Sequence, residues 1–347
     1  MSNIPRSFPF RGVVIVADMM KDVEGVLVHK RRDLEQNDEE TLGSLRVAIE
    51  QLGLDVYHYD GPEALARRAD YHAKDVVLSI YGGSISRSRM ALVPAVCEAF
   101  GLLYVGPDAF GRIMCQDKEI SKAVAEKCGL KVAQQRIVRN EEDISSVSDF
   151  TLPYVVKPMW EGSSIGIGEE NLITARHRGE STIRDMLKTF AQPIMVEAFV
   201  AGREVSWCFI EGTPANQLRS LAEIVWGNET DHFDHHLYDA AHKLSHEMSF
   251  VKNITAELEP RDAISLEQIV QIVGPLGYGR IDGKFRDGHF VFLEITPDAW
   301  LGTSGTFVSG FRDAGFSFEE VIARVLLSTR RAPLGQSTNG SSIQGGI

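Results

Sequence analysis

The stretch Tyr154–Gly168, YVVKPMWEGSSIGIG, decides how this chain is read. Its β-branched pair Val155-Val156 runs into Lys157-Pro158, and six residues past the lysine Ser163 and Ser164 sit in a Gly/Ser-rich loop. β-Branched residues favour a strand, so a lysine at a strand end beside such a loop implies phosphate binding. Glycines let backbone N–H groups approach an anion closely. The spacing is neither G-x-x-x-x-G-K-[ST] nor a G-x-G-x-x-G that opens a helix. The loop is therefore no P-loop variant, and what it holds must be read from the rest of the chain.

The chain has 347 residues, 44% hydrophobic and 24% charged, which is ordinary for a soluble globular protein of two or three domains. No apolar run reaches the roughly 18 residues of a membrane span. The N-terminus, MSNIPRSFPFRG, lacks the apolar segment of a signal peptide. Cys97, Cys115, Cys128 and Cys208 form no C-x-x-C pair, which points to a reduced, cytoplasmic protein. A net charge of −12 argues against a nucleic-acid partner, which needs a basic footprint, but not against a nucleotide.

Along residues 12–110, apolar runs alternate with amphipathic stretches. Val13–Val16, Val56–Tyr59, Val76–Ile80 and Leu102–Val105 read as strands. Glu39–Leu52 and Ala91–Phe100 read as helices stopped by Gly53 and Gly101. Such alternation predicts a parallel α/β sheet. A second zone, 111–192, opens with a helix over Lys118–Lys127 and continues through Arg136–Val138 to the strand and loop quoted above. A third, 193–330, is richer in strands: Ile194–Glu197, Glu204–Ile210, Leu221–Trp226, Arg280–Phe285 and Phe290–Ile295, with Phe318–Leu327 as a closing helix. The Gly/Ser-rich tail, 331–347, reads as disordered.

Asp287-Gly288 marks a hairpin turn between two of these strands. Within G-R-I-D, Arg280 and Asp282 are two apart and share a face, as do Glu294 and Thr296 on the returning F-V-F-L-E-I-T. Carboxylates on facing sides of paired strands are costly without a cation between them. Oxygen ligands of this kind suit Mg²⁺. The alternative is simple salt bridging, with Arg280 as one partner. A phosphate loop in the same chain tilts the balance toward the metal.

Taken together, these motifs resemble those of the ATP-grasp superfamily, and specifically its D-alanine–D-alanine ligase branch. The resemblance runs from about Gly106 to Leu327. Asp117-Lys118 resembles the family's Asp-Lys at the head of the central domain. LPYVVKPMWEGSSIGIG resembles its strand-Lys-Pro and E-G-S-S-x-G loop, IMVEAFVAGREVSWC its adenine and ribose segment, and YDAAHK its second phosphate lysine. GRID and FLEIT resemble its arginine and metal strands, and RDAGFSFEEVIARVL its closing helix.

The resemblance implies an ATP-grasp fold behind an N-terminal parallel α/β domain, and an ADP-forming carbon–nitrogen ligase acting through an acyl phosphate. Lys118, Lys157 and Lys243 would contact ATP phosphates, with N–H groups around Ser163, Ser164, Ile165 and Gly166 as a lid. Glu197 with the backbone of Ala198, Phe199 and Val200 would read adenine, and Glu204 the ribose. Asp282, Glu294 and Thr296 would hold Mg²⁺, two ions in the family, with Mn²⁺ able to substitute. Arg280, Lys243 and Ser163 are the catalytic candidates. A homodimer through the N-terminal zone, small amino-acid-like substrates, and no nucleic-acid or membrane partner complete what the resemblance implies.

The departures concern substrate. Thr296 stands where the family has Asn, with Asp298 as an alternative ligand. Ala299-Trp300-Leu301-Gly302 replaces Pro-Gly-Met-Thr, and Gly305 falls at the serine that grips the second alanine's carboxylate. Ala17-Asp18-Met19-Met20 and Tyr81-Gly82-Gly83-Ser84-Ile85-Ser86-Arg87 replace the family's N-terminal substrate loops. Arg87 and Arg89 either face a carboxylate or, by preference, are solvated. The expectation is therefore a ligase for amino-acid-like partners other than two D-alanines. A genuine D-alanine–D-alanine ligase and a catalytically impaired ATP-binding relative are the alternatives. His232, His235, His236, His242 and His246 admit zinc through the i, i+4 pair His242/His246, contacts in the substrate loop, or simple exposure, the last preferred.

Overall fold

The computed structural model describes residues 7–21, 31–83, 86–229, 231–245 and 249–331. Ser84, Ile85, His246 and the tail from Ala332 onward lie outside the described residues.

The N-terminal unit is built from β1 (Gly12–Val16), α1 (Glu39–Gln51), β2 (Asp55–Tyr59), α2 (Pro62–Ala66), β3 (Val76–Ser79), α3 (Leu92–Phe100) and β4 (Leu103–Val105). β4, β3, β1 and β2 lie side by side and parallel, as the alternating pattern predicts. A parallel sheet is covered on both faces. Val13 and Ile15 pack with Leu45 and Ile49 of α1, while Val14 and Val16 face Leu65, Val93 and Cys97.

The chain then runs through α4 (Ala109–Gln116), α5 (Lys118–Lys127), β5 (Lys131–Val132), β6 (Gln135–Val138), β7 (Tyr154–Pro158), β8 (Leu172–Ile173), α6 (Arg176–Phe190) and β9 (Ile194–Ala198). Four of these strands form an antiparallel sheet in the order β6-β9-β7-β8. Ile183 and Met186 of α6 seal one face against Val156 and Val196. The strand Ile194–Ala198 thus pairs into this central sheet and not into the third zone that began at 193.

The remainder comprises β10 (Arg203–Ile210), β11 (Leu218–Trp226), α7 (Ala240–Leu244), β12 (Ser249–Asn253), α8 (Pro260–Val273), β13 (Tyr278–Arg286), β14 (His289–Pro297), α9 (Thr306–Asp313), α10 (Phe318–Leu327) and β15 (Arg330–Arg331). A six-stranded sheet runs β12-β11-β10-β13-β14-β5. The β13–β14 turn takes φ of 53° at Asp287 and 79° at Gly288, the left-handed pair a tight hairpin demands. Val205, Phe209, Ile281 and Phe292 point to one face and pack on Leu266 and Ile269 of α8. That alternation frees the opposite face of the same strands for polar side chains. The last helix, α10, joins the core of the N-terminal unit, and β15 pairs with β4.

Candidate active site

Helix α5 begins where Asp117 caps it: its carboxylate accepts from the N–H groups of Glu119 and Ile120 at 3.1 and 3.2 Å. The cap fixes Lys118 in the first turn, with its ammonium 3.1 Å from Glu294 and hydrogen-bonded to the Glu161 carbonyl. Asp117 also accepts from the Trp160 indole N–H at 3.0 Å, tying the helix start to the Gly/Ser loop.

On the central sheet, Val155 and Lys157 share a face of β7, and Met195 and Glu197 share the facing side of β9. Lys157 and Glu197 are therefore diagonal neighbours, and their ammonium and carboxylate meet at 2.5 Å. The other Glu197 oxygen is held by Lys122, one turn beyond Lys118 on α5. Burial pushes the Glu197 pKa up, but Lys122 and Lys157 more than offset this and hold it below the ordinary carboxylate range.

The six-stranded sheet supplies the floor. Register sets Glu204 opposite Lys284, Ser206 opposite Asp282, Asp282 opposite Glu294 and Arg280 opposite Thr296, all on one face. Lys284 lies 2.8 Å from Glu204. Asp282 is held by Arg280 Nε at 2.9 and 3.0 Å, by the Ser206 hydroxyl at 2.6 Å and by the Thr296 hydroxyl at 3.1 Å. Burial raises the Glu294 pKa, but the ammonium groups of Lys118, Lys157 and Lys243 override it and bring it down to about 2. Lys243 reaches the floor from α7, and its own pKa is lowered by burial and then by Arg280.

Lys118, Lys157, Glu197, Glu204, Ser206, Lys243, Arg280, Asp282, Lys284, Glu294 and Thr296 line one cavity of about 880 Å³ together with Ser163, Ser164, Ala198, Phe199 and Val200. Of the residues expected at the site, Ile165 and Gly166 do not line it. Ile165 donates its N–H to the Gly162 carbonyl at 2.9 Å, closing a turn within the loop. Gly166, at φ 75°, leaves room for Phe190, whose ring would stand 2.3 Å from a Cβ there. Ser163 and Ser164 themselves adopt left-handed φ of 49° and 58°.

The ion pairs of the salt-bridge alternative read from the hairpin are present: Asp282 pairs with Arg280 and Glu294 with Lys118. The donor set nevertheless suits a hard divalent cation, since two cross-strand carboxylates and a hydroxyl open onto one cavity. Asp298 also lines it, but its carboxylate lies 3.2 Å from buried Arg112, and burial raises its pKa to about 7.

Sequence reasoning missed Lys122, Ser206 and Lys284. The last two continue the period-2 pattern of G-R-I-D-G-K and E-V-S that exposed their neighbours. Arg89 corrects an expectation: it is 7% exposed and not solvated. It pairs with Glu35 and, at 2.9 Å, with Glu161, while Glu35 accepts from the Gly162 N–H at 2.7 Å. The N-terminal unit is thereby latched to the Gly/Ser loop. Arg87 is about half exposed and stacks over Trp160 at 4.7 Å. His232 and His242 are likewise enclosed, with their Nε2 atoms 2.9 Å apart and their Nδ1 atoms 2.7 Å from Glu229 and Asp239. Among the described residues no group of three or more such side chains could hold a metal.

The Trp300 indole lies over Gly302 and Gly305, at 2.2 Å and 2.9 Å from where their Cβ atoms would be. A serine at 305 has no room beneath this ring.

The model of the D-Ala D-Ala ligase C-terminus matches residues 123–327. The chain belongs to this family. It is an ADP-forming ATP-grasp ligase that joins a carboxylate to an amine. The D-alanine–D-alanine ligase of Thermotoga maritima is 25% identical over 291 residues, covering 82% of this chain and 89% of that protein. The ligase of the same name from Geobacter sulfurreducens is 28% identical over 239 residues, 68% of this chain and 72% of its own. Among solved structures, the D-alanine–D-alanine ligase of Bacillus anthracis complexed with ATP superposes with a TM-score of 0.66 at 17% identity over 93% of this chain and 97% of that one. The VanG D-Ala:D-Ser ligase of Enterococcus faecalis gives 0.65 at 16% identity, covering 92% and 99%. Among the described residues, no helix is long and apolar enough to cross a membrane.

Proposed function

We propose that this ligase uses ATP to join two amino-acid-like substrates other than a pair of D-alanines. The observation that carries the substrate reading is the Trp300 ring seated on Gly302 and Gly305, which fills the turn bordering the cavity. A substrate carboxylate attacks the γ-phosphate, giving an acyl phosphate and ADP. An amine then attacks the acyl carbon, loses a proton and releases inorganic phosphate, leaving an amide.

Within this scheme Lys118, Lys157 and Lys243 neutralise the polyphosphate, and Ser163 and Ser164 close over it with their backbone N–H groups. Arg280 faces the same space and stabilises negative charge on the transferring phosphoryl group and on the tetrahedral intermediate. Glu197 with Ala198, Phe199 and Val200 border the adenine, and Glu204 the ribose. Asp282, Glu294 and Thr296 would hold Mg²⁺, which supplies charge neutralisation and Lewis-acid polarisation of phosphate oxygens. The free state of all four cysteines supports a reducing, cytoplasmic setting. Exposed Tyr57, Tyr71, Leu92 and Phe100 on the N-terminal unit support a homodimer through that unit.

The test is an ADP-release screen of paired amino acids and small amines with ATP and Mg²⁺, with product mass measured. Release with a pair other than two D-alanines, and a product of the condensed mass, is the expected result. Brisk phosphate release and dipeptide from D-alanine alone would refute the substrate reading.

A further inference from the structure

Lys122 is among the largest fully buried side chains of the protein, yet it does not line the cavity. Its ammonium is spent on one Glu197 oxygen, and it lies 3.4 Å from the Phe292 carbonyl. Placing an ammonium there is costly, and burial pulls its pKa down to about 8 even with Glu197 beside it. Such a group calls for a purpose.

The purpose lies in what Lys157 must do. Lys157 lines the cavity and holds the second Glu197 oxygen at 2.5 Å. If it were the only partner of Glu197, its departure toward a nucleotide would strand a carboxylate that is 3% exposed. Stranding a buried charge is strongly unfavourable, so Lys157 would stay where it is. Lys122 removes that obstacle because it is fully buried on Glu197 and does not line the cavity, so it stays when Lys157 leaves. We propose that Lys122 is a positioning residue for nucleotide binding: it holds Glu197 permanently, so that Lys157 is free to exchange Glu197 for the nucleotide. This rests on the ATP-dependent reading of the site.

Direct ATP binding, measured by calorimetry on the full chain, separates the two. In Lys122→Met the dissociation constant for ATP rises tenfold or more, while kcat at saturating ATP stays within about threefold. In a Glu197→Gln background, Lys122→Met changes the constant by less than about threefold from that of Glu197→Gln alone, because Lys157 then has no carboxylate to leave stranded. Unchanged ATP affinity in Lys122→Met overturns the proposal. So does a tenfold further loss when Lys122→Met is added to Glu197→Gln, since that is the mark of a lysine acting directly on the nucleotide or only on the fold. If Lys122→Met does not fold, the Glu197→Gln background decides alone: Lys122→Met/Glu197→Gln within threefold of Glu197→Gln supports the proposal, and a tenfold further loss overturns it. Wild-type ATP binding without substrate-dependent ADP release would refute the ligase reading and leave this test intact; no wild-type ATP binding refutes both.

Discussion

Gly302→Ala measures whether the Trp300 ring is built into the turn after β14. The new methyl carbon would stand 2.2 Å from Trp300 Cζ2 and 2.5 Å from Cε2 and Cη2. Carbon atoms rest at about 3.5–4.0 Å, so ring or backbone must retreat by roughly 1.5 Å. Overpacking of this kind costs about 1–3 kcal/mol. Replacing a glycine narrows the unfolded ensemble, which returns about 0.4–1 kcal/mol. The net loss expected is about 1–2 kcal/mol, read from urea midpoints at an unchanged slope. In a Trp300→Ala background the obstructing ring is gone, and Gly302→Ala becomes neutral or slightly stabilising. The cycle therefore yields a coupling of about 1–3 kcal/mol between the two positions. A cost under about 0.5 kcal/mol in the wild type, or the same cost with and without the indole, would refute the reasoning. It would also remove the reason for Gly305, where a Cβ would lie 2.9 Å from the same ring.

Two further outcomes follow from the charges around the cavity. Arg89→Met leaves Glu35 and Glu161 without their shared cation; unpaired buried carboxylates are unfavourable by about 3–5 kcal/mol, and the loop escapes this by opening. Amide exchange across residues 160–166 should quicken by about tenfold or more, and unchanged exchange would show that Arg89 is no latch. Glu197 has its folded pKa depressed below 4.5, so it contributes stability that is present above that pH and lost as pH falls through the folded value. The acid limb of the stability curve should thus be shallower in Glu197→Gln than in the wild type, and coincident limbs would count against the lysine clasp.

How far the sequence foretold this arrangement depended on the kind of pattern involved. Arg280, Asp282, Glu294 and Thr296 were legible because a strand's period of two assigns their face, and Asp287-Gly288 assigns their pairing. Their partners were not. Nothing in K-E-I-S-K-A-V-A-E-K distinguishes Lys122, buried, from Lys127, exposed, until the helix is docked. Arg89 looked solvated because Glu35 and Glu161 meet it only through the fold, more than 50 residues away in each direction. Helix α8 escaped notice for a different reason: Ile264 and Ile272 are 59% and 50% exposed, which spreads apolar residues around its circumference and blurs the stripe. The strand Ile194–Ala198 was recognised as a strand, but its choice between two sheets is a matter of long-range pairing that local composition does not encode.

Charge pairing also divides the cavity into two halves with different demands on their ligands. On the side proposed for the nucleotide, every carboxylate that would meet ATP or a metal already has a cation: Glu294 has Lys118, Asp282 has Arg280, Glu204 has Lys284, and Glu197 has two lysines. Ligand binding there is an exchange of partners, so affinity is a difference between two paired states and not the sum of new contacts. The other half offers less to an anion. Arg112 is committed to Asp298. Among the described residues lining the cavity, Arg312 is the arginine with no carboxylate partner; it lies on α9 and donates to the Thr303 carbonyl at 3.3 Å. The first turn of the same helix has no side-chain cap, and its N-terminal residues Gly305 and Thr306 border the cavity. On the proposed reading, a substrate carboxylate that is not to be phosphorylated would meet Arg312 on α9 without displacing a protein carboxylate.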